Sequence, residues 1–167
     1  MGDHYYGDDY DDLAAVVLER LRRGHRSLAI AESCTGGMVA ERITAIPGAS
    51  DTFIGGVVAY ADEVKTAQLD VPVATLEAHG AVSEETVRAM AVGAQRRFWC
   101  ECSIAVTGIA GPSGGTPEKP VGTVWLAARV GDETHTLKRV FPGDRDEIRR
   151  RTAQAALDLL RRRLAPS

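Results

Sequence analysis

Apolar positions along this chain follow two rhythms. Residues 12–22, DLAAVVLERLR, carry them at helical spacing and stop at Gly24. SLAIA (27–31) is short and almost wholly apolar, which predicts a buried strand. TGGMVAERITAI (35–46) returns to helical spacing and is stopped by Pro47-Gly48, and TFIGGVVAY (52–60) reads as a second strand. The Gly55-Gly56 pair inside it marks a bulge or the close approach of another backbone.

A turn at Ala61-Asp62-Glu63 leads to a short helix over Val64 to Leu69. Ser83 is a helix N-cap, with Glu84 and Glu85 in the first turn of a helix reaching Phe98. SIAVT (103–107) is a third buried strand, followed by GIAGPSGGTPEKP, a loop by its glycine and proline content. VGTVWLAARV (121–130), the turn Gly131-Asp132 and THTLKRVF (134–141) predict an antiparallel hairpin, after which Asp144 caps a long C-terminal helix. Helices interleaved with strands, closed by a hairpin, predict a single three-layer α/β/α domain with a mixed sheet over residues 12–167. Residues 1–11 read as a disordered acidic tail.

Composition narrows the class. The chain has 167 residues, 44% of them hydrophobic, and a net charge of -3. That suits one core of ordinary size and is short for two. No apolar run approaches the ~20 residues that span a bilayer, and the acidic start has no signal-peptide character. Three cysteines, Cys34, Cys100 and Cys102, form neither a disulfide framework nor a zinc half-site, and four histidines are scattered without ligand spacing. A reduced, cytoplasmic, metal-free protein is expected. The arginines of the last thirty residues, Arg149, Arg150 and Arg151 among them, alternate with apolar residues, so a solvated helix face is favoured over a nucleic-acid surface.

The stretch AESCTGG (31–37) concentrates the candidate chemistry. Ser33 stands where a strand gives way to a helix, and amides there lack intrahelical partners and welcome an anion or oxyanion. Thr35, Gly36 and Gly37 allow a ligand close to the backbone. The same residues also fit a plain capping role for Ser33 or Thr35, and Glu32 a buried structural carboxylate. A serine nucleophile needs a base, and no histidine ends a strand nearby. Lysine serves if burial lowers its pKa, and the chain has only Lys65, Lys119 and Lys138. Lys65 in YADEVK follows the strand ending at Tyr60; an exposed lysine on a short helix is the competing reading. Cys34 is the rival nucleophile, disfavoured because no histidine supports a thiolate. The second glycine-rich loop, VTGIAGPSGG (106–115), lacks the Lys-Ser/Thr of a P-loop, but it follows a buried strand, where α/β sheets place ligands.

AESCTGG, GGVVAYADEVK, HGAVSEETV, VTGIAGPSGG, KPVGTVW and GDRDEIR occur in the order and approximate spacing of the CinA C-terminal domain family, so the chain resembles that family from about residue 12 to 163. The resemblance implies the α/β/α fold and a metal-free, cofactor-free serine amidase. Such an enzyme hydrolyses the carboxamide of nicotinamide mononucleotide (NMN) to nicotinate mononucleotide and ammonia in NAD salvage. It implies Ser33, Lys65 and Tyr60 at the catalytic centre. Thr35, Gly36, Thr107 and Gly108 are expected to meet the nucleotide, and Arg145 to clamp its phosphate with a bidentate fork. An ion pair of Arg145 with Asp144 or Asp146 is the alternative. A homodimer acting on a small molecule, away from nucleic acid and membrane, is expected. The competing function is a non-catalytic nucleotide-binding or interaction module.

Overall fold

The computed structural model describes residues 10–165, so the 1–11 tail lies almost wholly outside the described residues. Helix α1 (Tyr10–Arg23) leads into strand β1 (Leu28–Glu32), helix α2 (Met38–Thr44), a 3-10 turn at Ala49–Asp51 and strand β2 (Phe53–Val58). Helices α3 (Asp62–Leu69), α4 (Val73–His79) and α5 (Glu84–Phe98) follow. Strands β3 (Cys102–Gly108), β4 (Thr123–Val130) and β5 (Glu133–Val140) then precede the closing helix α6 (Arg145–Arg163).

The five strands form one sheet in the order β2-β1-β3-β4-β5. The first three are parallel, and β4 and β5 add antiparallel at the far side. β1 and β3, flanked on both edges, are buried along nearly their whole length, as near-continuous apolar runs predict. Alternate residues serve opposite layers. Leu28 and Ile30 of β1, with Ile104 and Leu126, pack under α1, α2 and α6. Ala29, Ala31, Ala105 and Ala127 face α3 and α5. The small side chains on that face admit α5 close to the sheet. A Cβ at Gly93 of α5 would lie 1.9 Å from the Leu69 carbonyl oxygen, so α3 and α5 meet backbone to backbone.

The sequence expectations for both long helices hold at their caps. Ser83 Oγ accepts from the Thr86 amide at 3.2 Å. Asp144 and Glu147 exchange reciprocal bonds of 2.9 Å as a capping box on α6. Both meanings of Gly55-Gly56 are realised. The β1–β2 register shifts beside Ala29, and a Cβ at Gly56 would come within 2.4 Å of the Ile30 oxygen. Two expectations need correction. α2 begins at Met38 rather than residue 35, because Gly36 and Gly37 take left-handed φ values of 58° and 107°. Helix α4 was not expected at all: it has seven residues and none of them is buried, so it leaves no apolar stripe in the sequence. No helix among the described residues is long and apolar enough to cross a membrane.

Candidate active site

The site lies at the C-terminal ends of the two central parallel strands. Ser33 is the first residue past β1, and its amide extends the ladder to the Val106 carbonyl of β3 at 3.1 Å. Beyond it the chain turns through Cys34, Thr35, Gly36 and Gly37 before α2 starts. This turn is held from both layers of the fold.

From within, Glu32 does the capping. Its fully buried carboxylate accepts the Thr35 hydroxyl at 2.6 Å and the α2 amides of Val39 and Ala40 at 2.9 and 3.0 Å. This corrects two expectations: neither Ser33 nor Thr35 caps the helix, and two of its first-turn amides are already committed to a protein carboxylate. Thr35, 0% exposed with its hydroxyl spent on Glu32, is enclosed by the turn and offers a ligand no surface. Among the described residues the amides of Cys34, Thr35 and Gly37 have no protein acceptor. From the opposite side, Arg149 of α6 donates through Nε to the Cys34 carbonyl at 3.1 Å and through Nη2 to the Thr35 carbonyl at 3.0 Å. Sequence reasoning placed this arginine on a solvated helix face. Its spacing of four from Arg145, which sets both on one side of α6, was the available signal.

Lys65 arrives from α3 and is 1% exposed. Its Nζ is 3.3 Å from Ser33 Oγ, 2.9 Å from the Ala59 carbonyl and 3.0 Å from the Tyr60 carbonyl. Burial lowers its pKa below the usual lysine value, against the opposing pull of the exposed Asp62 carboxylate 3.7 Å away. In the neutral form two N–H groups satisfy the two carbonyls, which leaves the lone pair for the Ser33 hydroxyl. The exposed-lysine reading is therefore excluded. Cys34 is buried, and burial pushes its thiol up to about 12, so it holds no thiolate at neutral pH.

Tyr60 reaches Lys65 through its backbone, not its phenol. The ring is 60% exposed and its hydroxyl accepts from Arg145 Nη2 at 3.2 Å. Arg145 Nη1 donates to the Gly111 carbonyl at 2.7 Å, so one guanidinium ties the end of β2 to the second glycine-rich loop. The ion pair with a neighbouring aspartate does not form: Asp144 caps α6 and Asp146 pairs with Arg150. Thr107 and Gly108 sit on β3 beside Ser33, but each is occupied structurally. The Thr107 hydroxyl donates to the Ala81 carbonyl at 2.9 Å, and a Cβ at Gly108 would lie 2.5 Å from Val124. Gly36, by contrast, is exposed at the mouth of the turn. Among the described residues no group of three or more histidine, cysteine or acidic side chains converges as a metal site.

The profile of the CinA C-terminal domain matches residues 10–164. A CinA-like protein of Gemmatimonas aurantiaca is 56% identical over 165 residues, covering 99% of this chain and 39% of the relative. One from Desulfotalea psychrophila is 48% identical over 166 residues, covering 98% and 40%. The chain thus spans about two fifths of the length of the curated relatives it matches. Among solved structures, a competence-damaged protein (CinA) superfamily protein from Klebsiella pneumoniae superposes with a TM-score of 0.90 at 34% identity, covering 93% of this chain and 97% of that one. A competence/damage inducible protein from Agrobacterium tumefaciens gives 0.89 at 38% identity, covering 96% and 97%. The chain belongs to the CinA C-terminal domain family.

Proposed function

We propose that this chain is a nicotinamide-nucleotide amidase, hydrolysing the carboxamide of NMN to nicotinate mononucleotide and ammonia. The observation that carries the reading is the buried Lys65 amine 3.3 Å from the Ser33 hydroxyl, fixed by two carbonyls instead of a buried carboxylate. A lysine so placed is held for proton transfer, since an amine kept only for structure gains nothing from losing its charge.

In this mechanism Ser33 Oγ attacks the carboxamide carbon while Lys65 takes the hydroxyl proton. The tetrahedral oxyanion is met by backbone amides of the 34–37 turn, where Cys34, Thr35 and Gly37 have no protein acceptor among the described residues and the Cys34 N–H directly follows Ser33. Collapse breaks the C–N bond, and Lys65 returns the proton so that ammonia leaves. Water then attacks the acyl ester on Ser33 with Lys65 again as base, releasing the carboxylate. Arg145 anchors the phosphate. Its exposed guanidinium already bridges two loops at the site edge, through a weak phenol contact that an anion can displace.

Purified protein incubated with NMN in the presence of a chelator is expected to release ammonia and nicotinate mononucleotide in equal amounts. Tight NMN binding without ammonia release would favour the non-catalytic nucleotide-binding module instead.

A further inference from the structure

We propose that Tyr60 is a specificity-determining residue: the face of its ring receives the cationic pyridinium of the substrate and selects it over a neutral ring. The inference rests on the amidase reading, because it assigns what recognises the ring of the nucleotide in that reaction.

The two ends of this one residue mark the two ends of the substrate. Its backbone carbonyl accepts from Lys65 Nζ at 3.0 Å, and the same nitrogen stands 3.3 Å from Ser33 Oγ, so the Tyr60 backbone lies beside the reacting groups. Its phenol oxygen, at the far end of the side chain, is 3.2 Å from Arg145 Nη2, the group assigned to the phosphate. A nucleotide with its carboxamide at Ser33 and its phosphate at Arg145 therefore runs along the Tyr60 side chain. In NMN the ring is bonded directly to the carboxamide, and the ribose separates it from the phosphate. The pyridinium is thus the part of the substrate that comes to lie between Lys65 and the phenol tip.

Surface and charge fit that placement. Tyr60 is 60% exposed, so its ring is open to a ligand. The Ala59 amide continues the β2 ladder to the Glu32 carbonyl at 2.7 Å, which keeps the chain extended past Val58. Residues two apart in an extended chain share a face, so Val58, itself half exposed, carries the apolar surface on toward the Ser33 turn. A Cβ at Gly37 of that turn would lie 3.9 Å from Val58 Cγ2. Trp99 is more exposed still, but it precedes β3 and so lies at the opposite end of the strands from Ser33. The ribose bond to its nitrogen leaves the pyridine ring of NMN positively charged. The negative face of an aromatic ring attracts such a cation, and offset stacking adds to the attraction. The Asp62 carboxylate, 3.7 Å from Lys65 Nζ, is the other nearby group that would favour a cation, and it serves as the control.

The test compares NMN with its reduced form, which keeps the carboxamide, ribose and phosphate but has a neutral dihydropyridine ring. Reduction also deactivates the carboxamide toward attack, so binding is measured instead of turnover, by calorimetry on Ser33→Ala alone and combined with Tyr60→Phe, Tyr60→Leu or Asp62→Asn. Ser33→Ala is expected to bind NMN more tightly than the reduced form by roughly threefold to thirtyfold, a preference kept in Tyr60→Phe and Asp62→Asn and cut to within about twofold in Tyr60→Leu. Ribose 5-phosphate, which has no ring, should bind the Tyr60→Leu protein at least as well as Ser33→Ala alone. In NMR spectra the pyridinium protons of bound NMN should move upfield under the Tyr60 ring current and lose that shift in Tyr60→Leu. A preference that survives in Tyr60→Leu, or one that vanishes in Asp62→Asn with Tyr60 in place, would overturn the proposal. Melting temperatures are measured in parallel, and if Tyr60→Leu does not fold, Tyr60→Ile decides by the same criterion. Ammonia release from NMN by the parent without any ring preference would remove this role for Tyr60 and leave the amidase reading standing. A Tyr60-dependent preference in a parent that releases no ammonia would keep the ring surface and remove the amidase reading.

Discussion

Asp62 lies 3.7 Å from Lys65 Nζ, with the carboxylate half exposed and the amine buried. The two influences on Lys65 are therefore opposed: burial favours the neutral base, and Asp62 favours the ammonium. Removing the carboxylate should let burial act alone. Asp62→Asn is expected to shift the acid limb of kcat/KM for NMN hydrolysis to lower pH, so that the variant outperforms the parent below that limb. A limb that stays in place would detach Lys65 from the general-base role.

Ser33 and Lys65 should behave as one unit. Ser33→Ala and Lys65→Ala are each expected to abolish turnover, and the double variant to be little worse than either. Lys65→Arg should fail as well, since a guanidinium does not give up its proton. Quenched turnover should show an acyl adduct on the peptide holding Ser33. An adduct on Cys34 would overturn the assignment.

Tyr60 and Arg145 should act on binding. The phenol meets Arg145, not Lys65, in a contact the phosphate displaces, so Tyr60→Phe is expected to leave kcat within a few-fold and KM unchanged or lower. Arg145→Lys should raise KM roughly tenfold, the equivalent of about 1.4 kcal/mol, and the nucleoside lacking the phosphate should be a poor substrate. A collapse of kcat in Tyr60→Phe would restore the phenol to proton relay.

Lys65 also has a signature in stability. Its folded pKa is depressed below the unfolded value, near ~10.4, so below the folded pKa the native state bears the full cost of a buried ammonium. That cost falls as pH rises through the folded pKa and is gone above the unfolded one. The melting temperature of the parent should therefore rise relative to Lys65→Met across that window. A difference independent of pH would mean that Lys65 titrates normally.

How far the site could be read from sequence depends on how local each interaction is. Ser33 was visible because the strand SLAIA ends against a glycine-rich turn, and the hairpin and both long-helix caps were visible for the same local reason. Lys65 stood out through the scarcity of lysines and the resemblance to a family, but its burial comes from α3 folding over the end of β2. Glu32 caps a helix that starts six residues later, around two left-handed glycines, a pattern that no N-cap rule includes. Arg149 looked like one more cation in an arginine-rich helix, and only the packing of α6 across the sheet turns it onto the Ser33 loop. Thr107 and Gly108 were correctly placed at the strand end, yet the sequence could not distinguish a residue offered to ligand from one consumed by its neighbours.

The backbone contact between Gly93 and Leu69 extends the reach of selection well beyond the reacting groups. α3 carries Lys65 at its middle and Leu69 at its end, and its depth is set by the missing side chain on α5. A methyl group at residue 93 has only backbone to press against, so the whole of α3 must lift, and the amine with it. Gly93→Ala should then forfeit activity more steeply than stability, measured as kcat against melting temperature, although it alters no polar group. In a library of random variants, this buried glycine is expected to tolerate replacement about as poorly as Ser33 does.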